Sequence, residues 1–367
     1  MTDLTHVRQP PLSCMQRAPS GWVGRALRCA PSFADAWPFA LPCAPSGASD
    51  CAAGKGLPAL PSRSRIQAFQ PVRSTPMLAS AMTHGLLPAH DFPIATLASM
   101  FTRSYEGYIA GSFTLDPATF AQFVSHHGVD LWLSRIAVRD GAPVGFGYVN
   151  RTGDIARLAS LGVVPEARRS GVARNLVSSL LAESHARGET EMSLEVIEQN
   201  PTAVELYRSL GFETIGRLFG WRLPIGFPPY PVEPDADAGA TEIPLLTAIQ
   251  TPSSTDYPDL PWQVSRHSAA KAPPGARAFT SSHARVVFSD PEDEPIRVLA
   301  MFTDLQNKAG WDALRRLLSA VIPLFPNRTW WTPAVFPECH GHEVFQPLGF
   351  TEEPLRQFLM RRQFRKG

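Results

Sequence analysis

The stretch from residue 163 to 212 constrains the fold of this chain more than any other. It reads V-V-P-E-A-R-R-S-G-V-A-R, an apolar run, a β-rich run, and then N-P-T-A-V-E-L-Y-R-S-L-G-F. Ala156 to Val164 has the pattern of a half-buried strand, stopped by Pro165. Leu176, Val177, Leu180 and Leu181 recur at helical spacing, which predicts a helix from about Val172 to Ala186 with Gly188 as its stop. Met192 to Ile197 is aliphatic and β-branched, so a second strand follows. Asn200 and Pro201 open a second helix whose Ala203, Leu206, Tyr207 and Leu210 share one face. Gly211 ends it, and Phe212 leads into a strand from Ile215 to Leu223. Strands and helices alternating this closely require a sheet layered with helices.

Between the first strand and its helix lie Arg168, Arg169, Ser170, Gly171, Val172, Ala173 and Arg174. A helix N-terminus leaves backbone N–H groups unpaired and carries positive partial charge. Gly171 and Ala173 leave room for a pyrophosphate, and the arginines add charge-assisted contacts. A basic loop capping a surface helix is the plainer reading of the same residues. Two readings also stand for Tyr207, a core residue or a general acid for a departing thiolate. For Glu195 they are a solvated charge or a general base for an ammonium substrate.

Taken together, V-V-P-E-x-R-x-x-G-x-A and L-E-V-x-x-x-N-x-x-A-x-x-L-Y-x-x-x-G-F resemble the GNAT superfamily of acetyl-CoA-dependent N-acetyltransferases, over roughly Leu87 to Leu223. The resemblance implies an α/β (α+β) GNAT fold with a central mixed, mostly antiparallel sheet flanked by helices. It implies that the backbone of Val163 and Val164 binds the pantetheine arm of acetyl-CoA. The amides from Arg169 to Arg174, with Arg168 beside them, would hold the pyrophosphate, and Asn200 would contact the cofactor nearby. Tyr207 matches the family's thiolate-protonating Tyr, and Glu195 the base of its ribosomal-protein alanine acetyltransferases. Many members carry the base on the strand before the turn, where this chain has Ala159 and Ser160. The implied reaction is direct attack of a primary amine, from a small molecule or a protein N-terminus, on the thioester. The alternative is a non-catalytic acyl-CoA-binding sensor or scaffold.

Upstream, Ile94, Leu97, Ala98 and Phe101 make the stripe of a first helix, and Asp116 caps a second from Pro117 to His126. Leu131 to Val138 and Val144 to Asn150 are strands joined by a turn. In this fold the acceptor enters near the first two helices, which makes Tyr105, Glu106, Tyr108 and Trp132 candidate pocket residues. A shift of 138 residues lays Glu205-Leu206-Tyr207 over Glu343-Val344-Phe345, and Leu210-Gly211-Phe212 over Leu348-Gly349-Phe350. A repeat of this kind indicates a tandem architecture. In the second copy Pro333, Glu338 and Phe345 replace Glu195, Asn200 and Tyr207, and Asp312 near the helix start would repel a pyrophosphate. The expectation is a degenerate GNAT-like partner; the alternative is an unrelated α+β domain in which the L-G-F match is chance. Cys339-His340-Gly341-His342 is a plain loop on this reading, and no metal is expected. Trp330 and Trp331 alternate on a strand, one toward the core and one toward a groove.

The domain limits that follow are an N-terminal extension over 1–82, a catalytic domain over 83–223, a linker over 224–262 and the degenerate domain over 263–367. The linker is proline-rich and acidic, without Lys or Arg. The extension is rich in Pro, Ser, Ala and Arg and holds Cys14, Cys29, Cys43 and Cys51. It resembles a transit peptide in composition but reads first as disordered sequence, with Met77 or Met82 opening the protein proper. A net charge of +1 with 18% charged residues gives no case for nucleic acid or an anionic membrane. A cytoplasmic location is expected, with the chain a monomer (pseudo-dimer) or a homodimer.

Overall fold

The computed structural model describes residues 84–226, 239–250, 260–305 and 307–364. The expectations for residues 1–82, their cysteines and the start at Met77 or Met82 lie outside the described residues.

Twelve strands among the described residues form one mixed sheet. The first half supplies β1 (His84–Pro88), α1 (Ile94–Ser104), α2 (Pro117–His126), β2 (Asp130–Arg139), β3 (Ala142–Thr152) and β4 (Ile155–Val163). It continues with α3 (Val172–Ala186), β5 (Glu191–Ile197), α4 (Pro201–Ser209) and β6 (Glu213–Leu223). The second half supplies β7 (Thr241–Ile243), α5 (Leu245–Gln250), α6 (Arg266–Ala269), β8 (Arg277–Thr280), β9 (Ala284–Phe288) and β10 (Ile296–Thr303). It ends with α7 (Asn307–Val321), β11 (Trp330–Pro337), α8 (Glu338–His340) and β12 (Thr351–Gln363).

Local chemistry explains the main bounds. Asp116 accepts the N–H of Thr119 at 2.7 Å and Pro117 occupies the first turn, so α2 begins where the sequence places it. The Asn200 side chain caps α4 in the same way. Leu97, Ala98 and Phe101 turn inward from α1 onto Phe120, Phe123, Phe146 and Tyr148 on one face of the sheet. On the other face α3 and α4 bury Leu176, Val177, Leu180, Val204 and Tyr207. The second half packs α7 through Leu314, Leu317 and Leu318 against Val286, Phe288 and Trp330.

The strand order is β1-β2-β3-β4-β5-β12-β6-β11-β10-β9-β8-β7. It reads alike from either end, with parallel pairs β4–β5 and β10–β11 at matching places. β12 lies between β5 and β6, while β6 lies between β12 and β11. Each half therefore lends its last strand to the other, and a division after Leu223 does not part the sheet.

Three expectations need correction, and one strand was not foreseen. β1 was not expected; it is a five-residue strand with a proline end and little pattern to detect. The stretch 224–262 is not all linker, because β7 pairs with β8 and α5 buries Ala248. Trp330 and Trp331 are both buried, since β11 is interior to the sheet and covered on both faces; Arg222 lies over the Trp331 ring. Residues 338–348 are helical turns rather than a loop, and His340 is buried against Trp311 with ring centroids 4.7 Å apart. Among the described residues no cluster of three or more His, Cys, Asp or Glu could hold a metal ion. No described helix is long and apolar enough to cross a membrane.

A chain ending at Leu223 lacks β12 and leaves the edges of β5 and β6 bare. Expressed alone it should aggregate, whereas residues 83–367 should unfold in one transition; a soluble, cooperatively folding 83–223 fragment would contradict the interlock. Burial holds the His340 imidazole down to about 3 and that of His127 well below its ordinary value. Both are neutral when folded, so their contribution is complete above the unfolded value and is lost as pH falls. Stability should drop by about 1 kcal/mol per pH unit per histidine below about pH 6.5. Denaturant midpoints measured at pH 7.5 and 5 should separate, and less so in His340→Phe.

Candidate active site

β4 and β5 are paired only from Ile155↔Glu191 to Arg157↔Ser193. Beyond that point the two strands share no ladder, and β4 presents an open edge. A register shift between Tyr148 and Val149, facing Ser160 and Leu158, places a bulge at Ala159 and bends the strand there. Val164 donates its N–H to Val144 on β3. Alternation in the antiparallel ladder then turns the Val163 N–H the other way, into the opening. Gly162 is required here, because a Cβ would stand 2.5 Å from the Phe146 ring.

At the end of this opening α3 begins. Its N-cap, Gly171, has φ +84° with nothing within 4 Å of a built Cβ, and Arg169 also has positive φ, 59°. No side chain caps the helix and its first turn holds no acidic residue. Its first backbone bond is Asn175 N–H to Gly171 O, so the N–H groups of Val172, Ala173 and Arg174 precede the intrahelical ladder. Positive-φ residues ahead of a helix dipole form an anion-binding concavity of amides.

Two residues expected in this cradle are engaged elsewhere. The N–H of Val164 bonds Val144, its carbonyl accepts from Ala167, and its side chain is fully buried. The Arg168 guanidinium donates to the carbonyls of Val163, Ser104 and Glu106, and its N–H to Pro165, which straps the turn to the end of α1. Ser170 accepts from Arg139 and donates to Ala167 O, and Arg174 reaches Ser209.

Two phenols reach the strand and the helix that flank the opening. Tyr105 shares a 2.8 Å hydrogen bond with Ser160 on β4, and its ring lies 4.9 Å from that of Tyr108. Tyr108 is hydrogen-bonded to Asn200, the cap of α4. Tyr207 on α4 is buried and packs with Phe212, ring centroids 5.8 Å apart. Burial pushes Tyr105 up to about 12 and raises Tyr108 and Tyr207 further above the ordinary phenol value. All three are therefore protonated at any neutral pH.

Glu195 stands on β5 just past the last parallel pair. Its side chain is only 3% exposed, and Arg157 holds it with Nε at 3.1 and 2.9 Å and Nη2 at 2.6 Å. It is thus neither a solvated charge nor a free carboxylate. Of the other candidates, Tyr105 and Tyr108 join the site. Glu106 is exposed, and Trp132 is 69% exposed and stacked on His90. Sequence reading missed Arg157, although a charge inside the apolar run I-A-R-L-A-S-L-G-V signals a buried partner. It also missed Trp262, whose ring lies 5.4 Å from the Arg157 guanidinium.

The second half has a matching short parallel ladder, Ile296↔Trp330 and Arg297↔Trp331. There the first turn of α7 is tightly packed: a Cβ on Gly310 would meet Leu305 O at 2.5 Å. Trp311 and Phe336 pack on His340 beside it, and Asp312 pairs with Arg315.

A model of the acetyltransferase (GNAT) family matches residues 95–212. Over 159 residues the chain is 31% identical to the mycothiol acetyltransferase of Thermobispora bispora, covering 42% of this chain and 48% of that protein. Over 90 residues it is 33% identical to the ribosomal protein bS18-alanine N-acetyltransferase of Escherichia coli, covering 24% of this chain and 60% of that protein. The chain thus spans about half the length of the curated relatives it matches. A GCN5-related N-acetyltransferase from Sphaerobacter thermophilus superposes with a TM-score of 0.51 at 14% identity, over 78% of this chain and 97% of that one. Another from Anabaena variabilis gives 0.52 at 14% identity, over 76% and 72%. At such identity the likeness is one of fold, and it reaches past the first half. The family match runs from α1 to the end of α4 and so takes in the elements that border the opening: over residues 95–212 this chain carries an acetyltransferase (GNAT) family domain.

Proposed function

We propose that this chain is a cytoplasmic N-acetyltransferase that moves the acetyl group of acetyl-CoA to a primary amine by direct attack. The observation that carries the reading is the opening between β4 and β5, which ends at an uncapped helix N-terminus. Its length and its cluster of amides suit an extended ligand with a diphosphate at one end.

In this reading the amides from Arg169 to Arg174 hold the pyrophosphate and the Val163 N–H meets the thioester oxygen as negative charge develops on it. Tyr207, kept protonated by burial, gives its proton to the leaving thiolate. Glu195 takes the proton of the attacking amine. Arg157 fills three of about four acceptor sites on that carboxylate and leaves one. Asn200 and Tyr108 order the start of α4 beside the reacting centre. The second half acts as a degenerate copy that completes the sheet, so that one chain is a pseudo-dimer without a second site.

A non-catalytic acyl-CoA-binding role has one observation in its favour, the tight Arg157–Glu195 pair. Kinetics separate the two. Tyr207→Phe should lower kcat by about 10²- to 10⁴-fold with acetyl-CoA affinity unchanged. Because burial raises the Tyr207 value, kcat should not decline from this group between about pH 7 and 10. Wild-type protein that binds acetyl-CoA and releases no CoA with any primary amine would leave the binding role standing. An unchanged kcat in Tyr207→Phe would remove that residue from the mechanism.

A further inference from the structure

A polar row crosses four strands on one face of the sheet. Asn150 on β3 lies opposite Arg157 on β4, Arg157 opposite Ser193 on β5, and Ser193 opposite Arg361 on β12. Residues directly opposite share a face, and Glu195 joins it two residues along from Ser193. The second half lays residues 260–267 across this row, and between them lies a cavity of about 140 Å³. Ile155, Ile215, Pro261, Trp262 and Leu359 give it apolar walls.

Two buried atoms of the lining residues have no hydrogen-bond partner, Asn150 Oδ1 and Arg157 Nη1. Asn150 is 2% exposed and Arg157 3%. The Asn150 amide is oriented by its Nδ2, which donates to His127 O at 2.7 Å. Arg157 is fixed by its bonds to Glu195 through Nε and Nη2. The site thus offers one fixed acceptor and one fixed donor beside a carboxylate. Leaving such atoms unpaired costs about 1–3 kcal/mol each.

The geometry points to this cavity as the acceptor site, and to a compact primary amine with a carbonyl or hydroxyl oxygen on the neighbouring carbon as its ligand. The inference rests on the N-acetyltransferase reading above. The amine N–H donates to Asn150 Oδ1, the neighbouring oxygen accepts from Arg157 Nη1, and the nitrogen lies next to Glu195. In the transfer a C–N bond forms as the C–S bond breaks; the nitrogen's proton goes to Glu195 and that of Tyr207 to sulfur. An alkyl polyamine fits poorly: it gives Arg157 no acceptor and brings a second cation toward Arg157 and Arg361. A cavity of this volume takes a group of about benzene size. Trp262 and Pro261 form part of its wall, so the second half shares in choosing the acceptor without chemistry of its own.

The test uses the whole chain with glycinamide, 2-aminoethanol, propylamine and 1,4-diaminobutane, followed by CoA release and by calorimetric titration of each amine alone. Glycinamide and 2-aminoethanol should exceed propylamine in kcat/KM by about tenfold or more, the effect of one buried polar pair. Asn150→Leu should erase that preference without altering acetyl-CoA affinity. Ile215→Trp, at a half-exposed position on the rim, should raise KM for every amine while the protein stays folded and binds acetyl-CoA. Equal use of propylamine, or amine KM values untouched by Ile215→Trp, would overturn the assignment and leave acetyl transfer intact. If no amine is acetylated, glycinamide binding that Ile215→Trp abolishes keeps the cavity as an amine site and removes the transfer. The absence of both binding and turnover overturns the inference.

Discussion

The short parallel ladder between β4 and β5 is the constraint on which the rest of the molecule depends. Because it stops at Arg157↔Ser193, β4 keeps an unpaired edge inside a sheet. An unpaired edge next to an uncapped helix start is costly unless something extended and anionic binds there. The bulge bends β4 at that opening, Gly162 lets the strand pack on Phe146, and Gly171 takes the left-handed conformation that starts α3 beyond it. What keeps it from closing is the far side of β5, where β12 pairs along the strand from Glu191 to Ile197. The last strand of the chain thus anchors the strand that carries Glu195.

The two halves follow one path and differ in what fills the corresponding place. In the first, arginines and a glycine in the left-handed region precede α3, and no acid stands in its first turn. In the second, the first turn of α7 is tightly packed at Gly310, and Trp311, Phe336 and His340 occupy the space beside the helix start. The sheet needs both halves, because each supplies a strand interior to the other. Among the described residues, only the first half has an uncapped, glycine-led helix start beside its short parallel ladder. The second half also walls the cavity over Asn150, Arg157 and Glu195 through Trp262.

Much of the first half could be read from the chain because its signals are local. Asp116-Pro117 fixes the start of α2, Asn200-Pro201 that of α4, and the 3.6-residue pattern the length of α3. The turn from Arg169 to Arg174 was legible for the same reason. What stayed hidden depends on contacts distant in sequence. The place of β12 beside β5 is set by pairing across more than a hundred residues, and no local pattern encodes it. The pairing of Arg157 with Glu195 is hidden in the same way, as is Trp331, which looks half-exposed until β6 and β10 enclose its strand. Proline and acid in 224–262 suggested a linker, yet β7 needs only three residues and an edge to pair with. The engagement of Arg168 could not be foreseen, because its carbonyl partners belong to α1 and the loop after it.

The central claim is that one chain holds one acetyl-CoA, in the opening between β4 and β5. Calorimetric titration of the whole chain with acetyl-CoA, wild type against Gly171→Glu, tests it most directly. Gly171 has open space around it, so the substitution adds bulk and negative charge to the amide cradle at a backbone strain of about 1 kcal/mol. The account predicts one site per chain in the wild type and none in the variant. Two sites per chain, or one that survives in Gly171→Glu, would contradict it.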